Sequence, residues 1–186
     1  MGSFRKGTAK KRGTAEKRMK IAITGHTSGL GKALYNFYKI KYQVAGFSRS
    51  NRYDIRNFKK IINEIPDYDI FINNAYEKYS QIDLLREVFL LWQDQSKTII
   101  NISSLASSNF KTLLTQQISP YSVHKAALDA QVHQLQMLRK KCRIINIRPG
   151  YFGKDKIDVD ELASFINYLH SHKLYILETS LIHPVA

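Results

Sequence analysis

Residues 20–31 read Lys-Ile-Ala-Ile-Thr-Gly-His-Thr-Ser-Gly-Leu-Gly, and this stretch decides the fold of the chain. An apolar run ends at Thr24, and glycines then stand at positions 25, 29 and 31 before an amphipathic run begins. Glycine permits a positive φ and a close approach of the backbone to a ligand, and the start of a helix offers free N–H groups to an anion. The stretch therefore predicts a strand, a phosphate-binding turn and a helix. The residues expected to line the turn are Gly25, Thr27, Ser28, Gly29, Leu30 and Gly31.

Short apolar runs alternate with longer amphipathic runs along the rest of the chain. The apolar runs lack in-and-out alternation, which is typical of strands buried on both faces of a parallel sheet. The predicted strands are Lys20–Thr24, Val44–Phe47, Asp69–Asn73, Thr98–Ile102, Arg143–Ile147 and Leu174–Leu177. The predicted helices are Gly31–Tyr42, Phe58–Ile65, Ile82–Gln95, Tyr121–Lys140 and Asp160–His172. This alternation predicts a Rossmann-like, doubly wound α/β sheet of about six parallel strands, with ligands at the carboxyl ends of the strands.

The formal net charge of +14 is concentrated at the amino-terminal end. Residues 1–20 carry eight Lys or Arg against Glu16 alone, and no Leu, Ile or Val precedes Met19. Such a segment buries too little apolar surface to offset its ordering entropy. We therefore expect residues 1–18 to be a disordered basic leader or an artificial extension, and residues 19–186 to form a single domain. The alternative is an electrostatic arm for nucleic acid or another anionic surface. Because no helix-turn-helix or RNA-binding signature accompanies the arm, we expect no nucleic-acid partner.

The composition argues against several other classes of protein. No run of about 18 apolar residues is present, which argues against a membrane span. No apolar core follows the first basic residues, which argues against a secretory signal. Cys142 is the only cysteine, so an intramolecular disulfide and a cysteine zinc cluster are excluded. The histidines show no metal-binding spacing. We therefore expect a cytoplasmic protein without a metal site.

Later stretches place polar groups at predicted strand ends or on the longest helix. They read Tyr53-Asp54-Ile55, Asn73-Asn74-Ala75, Ile102-Ser103-Ser104, Tyr121-Ser-Val-His-Lys125 and Arg148-Pro149-Gly150. Together with the glycine turn, spaced Gly-x-x-x-Gly-x-Gly after a threonine, they resemble the motifs of the short-chain dehydrogenase/reductase family in the family's order. The resemblance covers residues 20–150, and it implies the family's fold and a nicotinamide dinucleotide cofactor.

Tyr121 and Lys125 lie four residues apart, which puts both side chains on one face of a helix. An ammonium group beside a phenol favours the phenolate and lowers the pKa of the phenol. The resemblance implies that Tyr121 exchanges a proton with the substrate oxygen, that Ser104 orients this oxygen, and that Lys125 also holds the nicotinamide ribose, where Tyr121 contacts the cofactor too. The remaining cofactor contacts that it implies are Asp54, Ile55, Asn74, Ala75, Pro149 and Gly150.

The end of the second predicted strand bears on the choice of cofactor. It reads Phe47-Ser48-Arg49-Ser50 and carries no acidic residue. A dehydrogenase that prefers NAD usually has an acidic residue there, which binds the ribose 2′-hydroxyl. Arg49 is suited instead to a 2′-phosphate through charge-assisted hydrogen bonds. We therefore expect NADP(H) to be preferred over NAD(H).

The chain also departs from the family's pattern. Tyr76 stands where the family's Asn-Asn-Ala-Gly motif has glycine, and His124 stands where serine is common. The helix before the serine strand offers no clear counterpart of the family's catalytic asparagine. Residues 151–157 lead almost directly into the next predicted helix, so most of the substrate-lid segment is missing. Such an open site suits a bulky substrate, a partner that completes the pocket, or a protein that binds cofactor without turnover.

The sequence thus predicts a compact NADP(H)-dependent oxidoreductase that transfers hydride between the nicotinamide and a small-molecule carbonyl or alcohol substrate. The alternative is a non-catalytic NAD(P)-binding protein that acts as a redox sensor or an interaction module. The resemblance also implies a homodimer formed through the helix Tyr121–Lys140, and the small and apolar residues of that helix permit such an interface.

Overall fold

A computed structural model of the chain describes residues 18–108, 119–150, 157–171 and 178–181. The strands in these ranges are β1 Lys20–Thr24, β2 Gln43–Phe47, β3 Ile70–Asn73, β4 Thr98–Ile102, β5 Arg143–Pro149 and β6 Glu178–Leu181. They all run parallel and form one sheet in the order β2-β1-β3-β4-β5-β6. The chain moves outward from β1 to β2 and then returns to the other side of β1. This reversal of strand order between β1 and β3 is where open α/β sheets bind ligands.

Helices cover both faces of the sheet. They are α1 Gly29–Tyr38, α2 Lys59–Glu64, α3 Ser80–Trp92, α4 Pro120–Met137 and α5 Val159–Ser171. Buried side chains of α1 and α5, such as Leu34 and Ile166, pack on one face of the sheet. Side chains of α2, α3 and α4, such as Trp92 and Val132, pack on the other face. The doubly wound α/β fold with a six-stranded parallel sheet is as predicted from the sequence, but the sixth strand, Glu178–Leu181, is not a stretch that was predicted as a strand.

Three predicted helices end three or four residues earlier than expected. The helix α3 ends at Trp92 rather than Gln95, and the other two ends each have a local reason. The first ends at Tyr38 rather than Tyr42, because the chain must turn there for the Gln43 N–H to reach Met19 O at the start of the sheet. The longest ends at Met137 rather than Lys140, because Arg139 adopts a left-handed conformation with φ of +48°. The predicted strand Leu174–Leu177 falls outside the described residues, as does all of the predicted basic leader except Arg18.

A ladder of buried asparagines crosses the sheet from β3 to β5. The Nδ2 atom of Asn73 donates to Oδ1 of Asn101 (3.0 Å), and Nδ2 of Asn101 donates to Oδ1 of Asn146 (2.8 Å). Asn146 Nδ2 in turn donates to Oδ1 of Asp129 on α4, at 2.9 Å. A slip of one residue would turn these amides to the other face and leave buried polar groups without partners. The ladder therefore fixes the register of β3, β4 and β5.

The same register brings the carboxyl ends of β1, β3, β4 and β5 to one edge of the sheet. The glycine turn and the motifs around Asn74, Ser104 and Pro149 lie at the ends of strands at this edge, and Tyr121-Ser-Val-His-Lys125 lies at the start of α4, whereas Tyr53-Asp54-Ile55 follows the turn after β2. Among the described residues, no helix combines the length and apolar character needed to cross a membrane.

Candidate functional site

The glycine turn after β1 is a tightly packed loop. Gly25 and Gly29 have φ of +71° and +50°, the region that favours glycine. The Gly25 N–H donates to Phe47 O at 2.8 Å, which ties the turn to the end of β2. A methyl group on Gly31 would lie 2.2 Å from Gly25 O and 2.5 Å from Asn74 Nδ2. Only glycine fits at position 31 without displacing the turn.

Thr24 joins the turn to the end of β3. Its hydroxyl oxygen accepts hydrogen bonds from the N–H groups of Asn74 and Ala75, both at 3.0 Å. The Asn74 side chain donates back to Thr24 O, also at 3.0 Å. Asn74 and Ala75 therefore lie directly beside the glycine turn. Thr24 itself was not among the predicted cofactor contacts, although the threonine that ends β1 was visible in the sequence.

The turn leaves an open cradle at the start of α1. Thr27, Ser28 and Gly29 are exposed, and no atom lies within 4 Å of the position that a methyl group on Gly29 would take. The Ser28 side chain does not cap the helix. Because the first amides of a helix lack intrahelical acceptors, they are left to bind an anion, and the helix dipole favours negative charge there. These features fit a phosphate of a dinucleotide.

Arg49 lies at the end of β2, beyond the glycine turn. It begins a short 3₁₀ turn, Arg49–Asn51, in which Asn51 Oδ1 accepts from the Ser48 N–H (2.8 Å) and Asn51 Nδ2 donates to Gly46 O (2.7 Å). His26 of the glycine turn packs closely on Gly46, where a methyl group would come within 2.2 Å of the imidazole ring. The exposed Arg49 side chain is thus carried on a rigid turn next to the cradle.

Asp54 and Ile55 follow that turn. Ile55 is buried in the core, and the Asp54 carboxylate accepts hydrogen bonds from the Arg56 N–H (2.9 Å) and guanidinium (2.6 Å). These bonds from Arg56 lower the pKa of Asp54 to about 2. The carboxylate is therefore ionised and already paired, so an adenine contact would have to share it with Arg56. The adenine contact of Asp54 stays a prediction.

Lys125 is the most deeply placed charge of the site. It is 2% exposed, and its ammonium donates to Gln81 Oε1 (2.8 Å) and to Ile102 O (3.0 Å). Burial lowers the pKa of Lys125 to about 8, and the nearby carboxylate of Asp129 opposes this shift. Lys125 thus still carries a positive charge at neutral pH, and this charge is buried at the carboxyl ends of β3 and β4.

Gln81 is a site residue that the sequence reasoning missed. Its amide nitrogen donates to Asn73 O and to Ile102 O, both at 3.0 Å, while its oxygen accepts from Lys125. The sequence pattern offered no amide for this role, because the predicted helix began at Ile82 and Gln81 fell just before it. The helix in fact begins at Ser80, and its first turn carries Gln81 beneath Lys125. The available signal was a glutamine directly before the predicted helix Ile82–Gln95.

Tyr121 lies one helical turn before Lys125 at the surface of the site. Its ring centre is 5.6 Å from Lys125 Nζ, and the residue is 38% exposed. Ser104 follows β4 and is half-buried; its hydroxyl accepts from the Ala106 N–H at 3.2 Å. The short turn Leu105–Ser107 after it packs against α4. Ser104 and Tyr121 therefore belong to neighbouring elements, and the interval 109–118 between them lies outside the described residues.

Tyr76 adds a second phenol over the same lysine. Its ring centre is 5.4 Å from Lys125 Nζ, and the ring meets that of Tyr121 edge to face at 4.8 Å. Its hydroxyl is hydrogen bonded to Nδ1 of His124 at 2.8 Å, and the His124 ring also contacts Tyr79 at 4.6 Å. Tyr76, Tyr79, Tyr121 and His124 thus form an aromatic group, of which the Tyr76 and Tyr121 rings lie over Lys125.

Pro149 and Gly150 close the site at the end of β5. The Gly150 N–H donates to Leu181 O at 2.8 Å, so the turn is held against the end of β6. Residues 151–156 lie outside the described residues, and α5 begins at Val159. The start of α5 at Val159 is one residue before the predicted Asp160. Within the described ranges, no group of three His, Cys, Asp or Glu residues could hold a metal ion.

The buried lysine makes a pH-dependent contribution to stability. The folded-state pKa of about 8 lies below the ordinary 10.5, so between these values the unfolded chain binds the proton more tightly. The loss of stability caused by burying the charged ammonium is fully present below pH 8 and is relieved as pH rises toward 10.5. We expect the free energy of unfolding of the protein, relative to Lys125→Met, to rise by about 3 kcal/mol over this range. Urea unfolding of both proteins at several pH values measures it, and a difference independent of pH would contradict the burial of a charged amine.

The comparisons with known proteins concern the fold. No protein-family model matches the chain, and no curated protein matches it in sequence. Solved structures do match. A serine dehydrogenase from Escherichia coli aligns with a TM-score of 0.70 at 17% identity, over 89% of this chain and 98% of that chain. A short chain dehydrogenase from Burkholderia cenocepacia J2315 in complex with NADP has a TM-score of 0.72 at 17% identity, over 88% of each chain. A 3-alpha-hydroxysteroid dehydrogenase from Pseudomonas sp. B-0831 complexed with NADH has a TM-score of 0.69 at 18% identity, over 87% of this chain and 93% of that chain. With its parallel six-stranded sheet and these matches over most of the chain, the protein has the fold of the short-chain dehydrogenases/reductases.

Proposed function

We propose that the protein is an NADP(H)-dependent oxidoreductase that interconverts a carbonyl and an alcohol, with Tyr121 as the acid and base. The observation that carries this proposal is the placement of Lys125. Its ammonium is buried and fixed by Gln81 and Ile102 O directly under the Tyr121 ring. The glycine turn lies at the same edge of the sheet, so a dinucleotide held by its phosphates there would extend toward this pair. Two of the similar solved structures contain NADP or NADH, which supports a nicotinamide cofactor.

The residues of the chain have distinct tasks in this proposal. The amides at the start of α1 and the open face of Gly29 bind the pyrophosphate. Tyr121 donates its phenolic proton to the carbonyl oxygen of the substrate, and Ser104 holds that oxygen by a hydrogen bond. The positive charge of Lys125 stabilises the phenolate that remains on Tyr121. The dinucleotide, when bound, supplies or accepts the hydride. Asn74, Ala75, Pro149 and Gly150 line the space beside it.

The proposal is tested by two measurements on the same protein. Titration with NADPH and with NADH, followed by intrinsic fluorescence, measures binding of each cofactor. Absorbance at the nicotinamide band then measures hydride transfer to a panel of aldehydes and ketones. Binding with turnover of at least one carbonyl supports the oxidoreductase. If neither NADPH nor NADH binds, the proposal as a whole is contradicted.

One observation favours a second candidate, a cofactor-binding protein without turnover. The Tyr76 ring covers Lys125, which is the group expected to face both the cofactor and Tyr121. A protein that binds NADPH but transfers no hydride to any carbonyl would fit a redox sensor or an interaction module. The same pair of measurements separates the two candidates.

Arg49 is the basis for proposing NADP(H) over NAD(H). Its guanidinium stands on a rigid turn next to the cradle and is exposed. Arg49→Ala is expected to weaken NADPH binding about tenfold or more, because it removes a charge-assisted hydrogen bond to the 2′-phosphate. NADH binding is expected to stay the same, because NADH lacks that phosphate. Calorimetric titration of both cofactors measures the change.

Arg52 provides the matched control for this prediction. It is also exposed and lies in the same turn, with φ of +67°. Asparagine tolerates that conformation, so Arg52→Asn removes an equal charge without straining the backbone. We expect this variant to keep its preference for NADPH. Equal losses in the two variants would show a general effect of charge and would contradict a 2′-phosphate contact by Arg49.

We further propose a homodimer formed through residues 121–140. The exposed apolar side chains of α4 and of the residue after it support this: Val123, Met137 and Leu138 are more than half exposed. Covering these exposed apolar side chains with a partner helix would remove them from water, which stabilises the dimer. Sedimentation equilibrium measures the oligomeric state, and a monomer at all concentrations would contradict it.

A further inference from the structure

Tyr76 and His124, the two residues by which the chain departs from the family's pattern at this edge, are hydrogen bonded to each other. Tyr76 follows β3 and His124 lies on α4, 48 residues later, yet the Tyr76 hydroxyl and His124 Nδ1 are 2.8 Å apart. Tyr76 is 41% exposed, so the bond does not arise from packing in the core. The hydrogen bond and the contact between the Tyr76 and Tyr121 rings hold the Tyr76 side chain in one place.

That place lies between the glycine turn and Lys125. Ala75 is packed against the turn, since its Cα atom would be 3.2 Å from a methyl group on Gly25. Tyr76 is the next residue, and its ring reaches to 5.4 Å from Lys125 Nζ. The Tyr76 residue therefore spans the distance from the phosphate cradle to the lysine. A ligand that enters by its phosphates and extends toward Lys125 meets this ring.

Lys125 has no accessible donor while the ring is there. An ammonium has three N–H groups, and two of them are used by Gln81 Oε1 and Ile102 O. The rings of Tyr76 and Tyr121 lie over the same ammonium, and the residue is 2% exposed. A ribose hydroxyl cannot reach the nitrogen in this arrangement unless one of these rings moves, and Tyr76 is the one that follows Ala75 at the glycine turn.

We propose that Tyr76 is the residue that determines which half of a dinucleotide contributes to binding. Its ring, held by His124, excludes the nicotinamide riboside from Lys125, so the protein binds the dinucleotide through the adenosine half and the pyrophosphate. The proposal rests on the cofactor binding proposed above. It adds that the nicotinamide half gains access to Lys125 only when the Tyr76 side chain is displaced.

The test compares NADP⁺ with 2′-phospho-ADP, which keeps the adenosine half and the pyrophosphate but lacks the nicotinamide riboside. Calorimetric titration gives both dissociation constants. For the unaltered protein we expect the two to agree within about threefold, because the missing half makes few contacts. In Tyr76→Ala we expect NADP⁺ to bind about tenfold more tightly, the value of one hydrogen bond to a charged group. Binding of 2′-phospho-ADP should not change.

Tyr79→Ala is the matched control. Tyr79 contacts His124 in the same aromatic group and is also exposed, but its ring is not one of those over Lys125. We expect this variant to bind both ligands as the unaltered protein does. A Tyr76→Phe variant keeps the ring and loses the hydroxyl that bonds to His124. Its ratio of affinities for NADP⁺ and 2′-phospho-ADP should lie between that of the unaltered protein and that of Tyr76→Ala.

The possible outcomes separate this inference from the proposed function. If neither NADP⁺ nor 2′-phospho-ADP binds, the proposed function fails. If both bind, and NADP⁺ already binds the unaltered protein at least about tenfold more tightly than 2′-phospho-ADP, the inference about Tyr76 is wrong while cofactor binding stands. An unchanged ratio in Tyr76→Ala also overturns it. Because the ratio for the unaltered protein is itself informative, the test does not depend on the variant folding.

Discussion

Replacing Tyr121 with phenylalanine is expected to lower kcat for hydride transfer by at least about a hundredfold, the usual contribution of a positioned acid or base. The hydroxyl is the only group lost, and the Tyr121 side chain is 38% exposed, so the fold should not change. The dissociation constant for NADPH should stay within about twofold, because pyrophosphate binding depends on the glycine turn and not on the phenol. Steady-state kinetics on the best carbonyl substrate and fluorescence titration of NADPH measure the two effects.

Tyr79→Phe is the control for Tyr121→Phe. It removes an exposed phenolic hydroxyl from the same aromatic group, but from a ring that is not over Lys125. We expect its kcat to match that of the unaltered protein. If Tyr121→Phe retained full turnover, Tyr121 would not be the acid. The second phenol near Lys125, that of Tyr76, would then be the next candidate.

The fold follows from local patterns in the sequence. Thr98–Ile102 is a short apolar run without alternation, and it forms a strand buried on both faces within the sheet. Because such strands require helices on both faces, the alternation of runs was enough to predict the doubly wound architecture. The ends of helices depend on single residues instead. Nothing in the periodic pattern around Arg139 marks its left-handed conformation, so the predicted end of the longest helix was three residues late.

The hydrogen-bond partners in the asparagine ladder could not be predicted from local patterns in the sequence. The sequence contains Ile-Ile-Asn-Ile at residues 99–102 and again at 144–147, each with a polar amide inside an apolar strand. A buried amide needs a hydrogen-bond partner, which predicts that some partner exists. Which partner it is depends on the order of strands in the sheet, since Asn101 and Asn146 meet only because β4 and β5 are neighbours.

The candidate site likewise has features that could be predicted from the sequence and features that could not. The order of the glycine turn, Ser104, Tyr121 and Lys125 along the chain could be recognised, and the sheet brings them to one edge as expected. The contacts that define the environment of Lys125 could not be recognised. Gln81 and Lys125 are 44 residues apart, and Tyr76 and His124 are 48 apart. No local pattern encodes such pairs, because they arise only once β3, α3 and α4 have packed together.

Gly31→Ala is expected to damage both the stability of the protein and its binding of dinucleotides. Alanine favours a helix over glycine by about 1 kcal/mol, and Gly31 lies in the first turn of α1. Against this, the added methyl would lie 2.2 Å from Gly25 O, a backbone atom that cannot rotate away. We expect a net loss of about 1–3 kcal/mol in the free energy of unfolding. Displacement of the turn should also remove amide contacts to the pyrophosphate, which lowers NADPH affinity about a hundredfold. Urea unfolding and calorimetric titration measure the two losses.

Gly29→Ala separates the packing of the turn from its use as a cradle. No atom lies within 4 Å of the added methyl, although φ of +50° makes alanine unfavourable there by about 1–2 kcal/mol. The methyl would enter the space proposed for a phosphate, so NADPH affinity should fall here too. The two variants should differ at the end of β3. Gly31→Ala pushes on Asn74 Nδ2 and should speed hydrogen exchange of the Asn74 and Ala75 amides that bond to Thr24, whereas Gly29→Ala should leave their exchange unchanged relative to global stability. Equal exchange in both variants would mean that the contact between the turn and β3 does not depend on glycine at position 31.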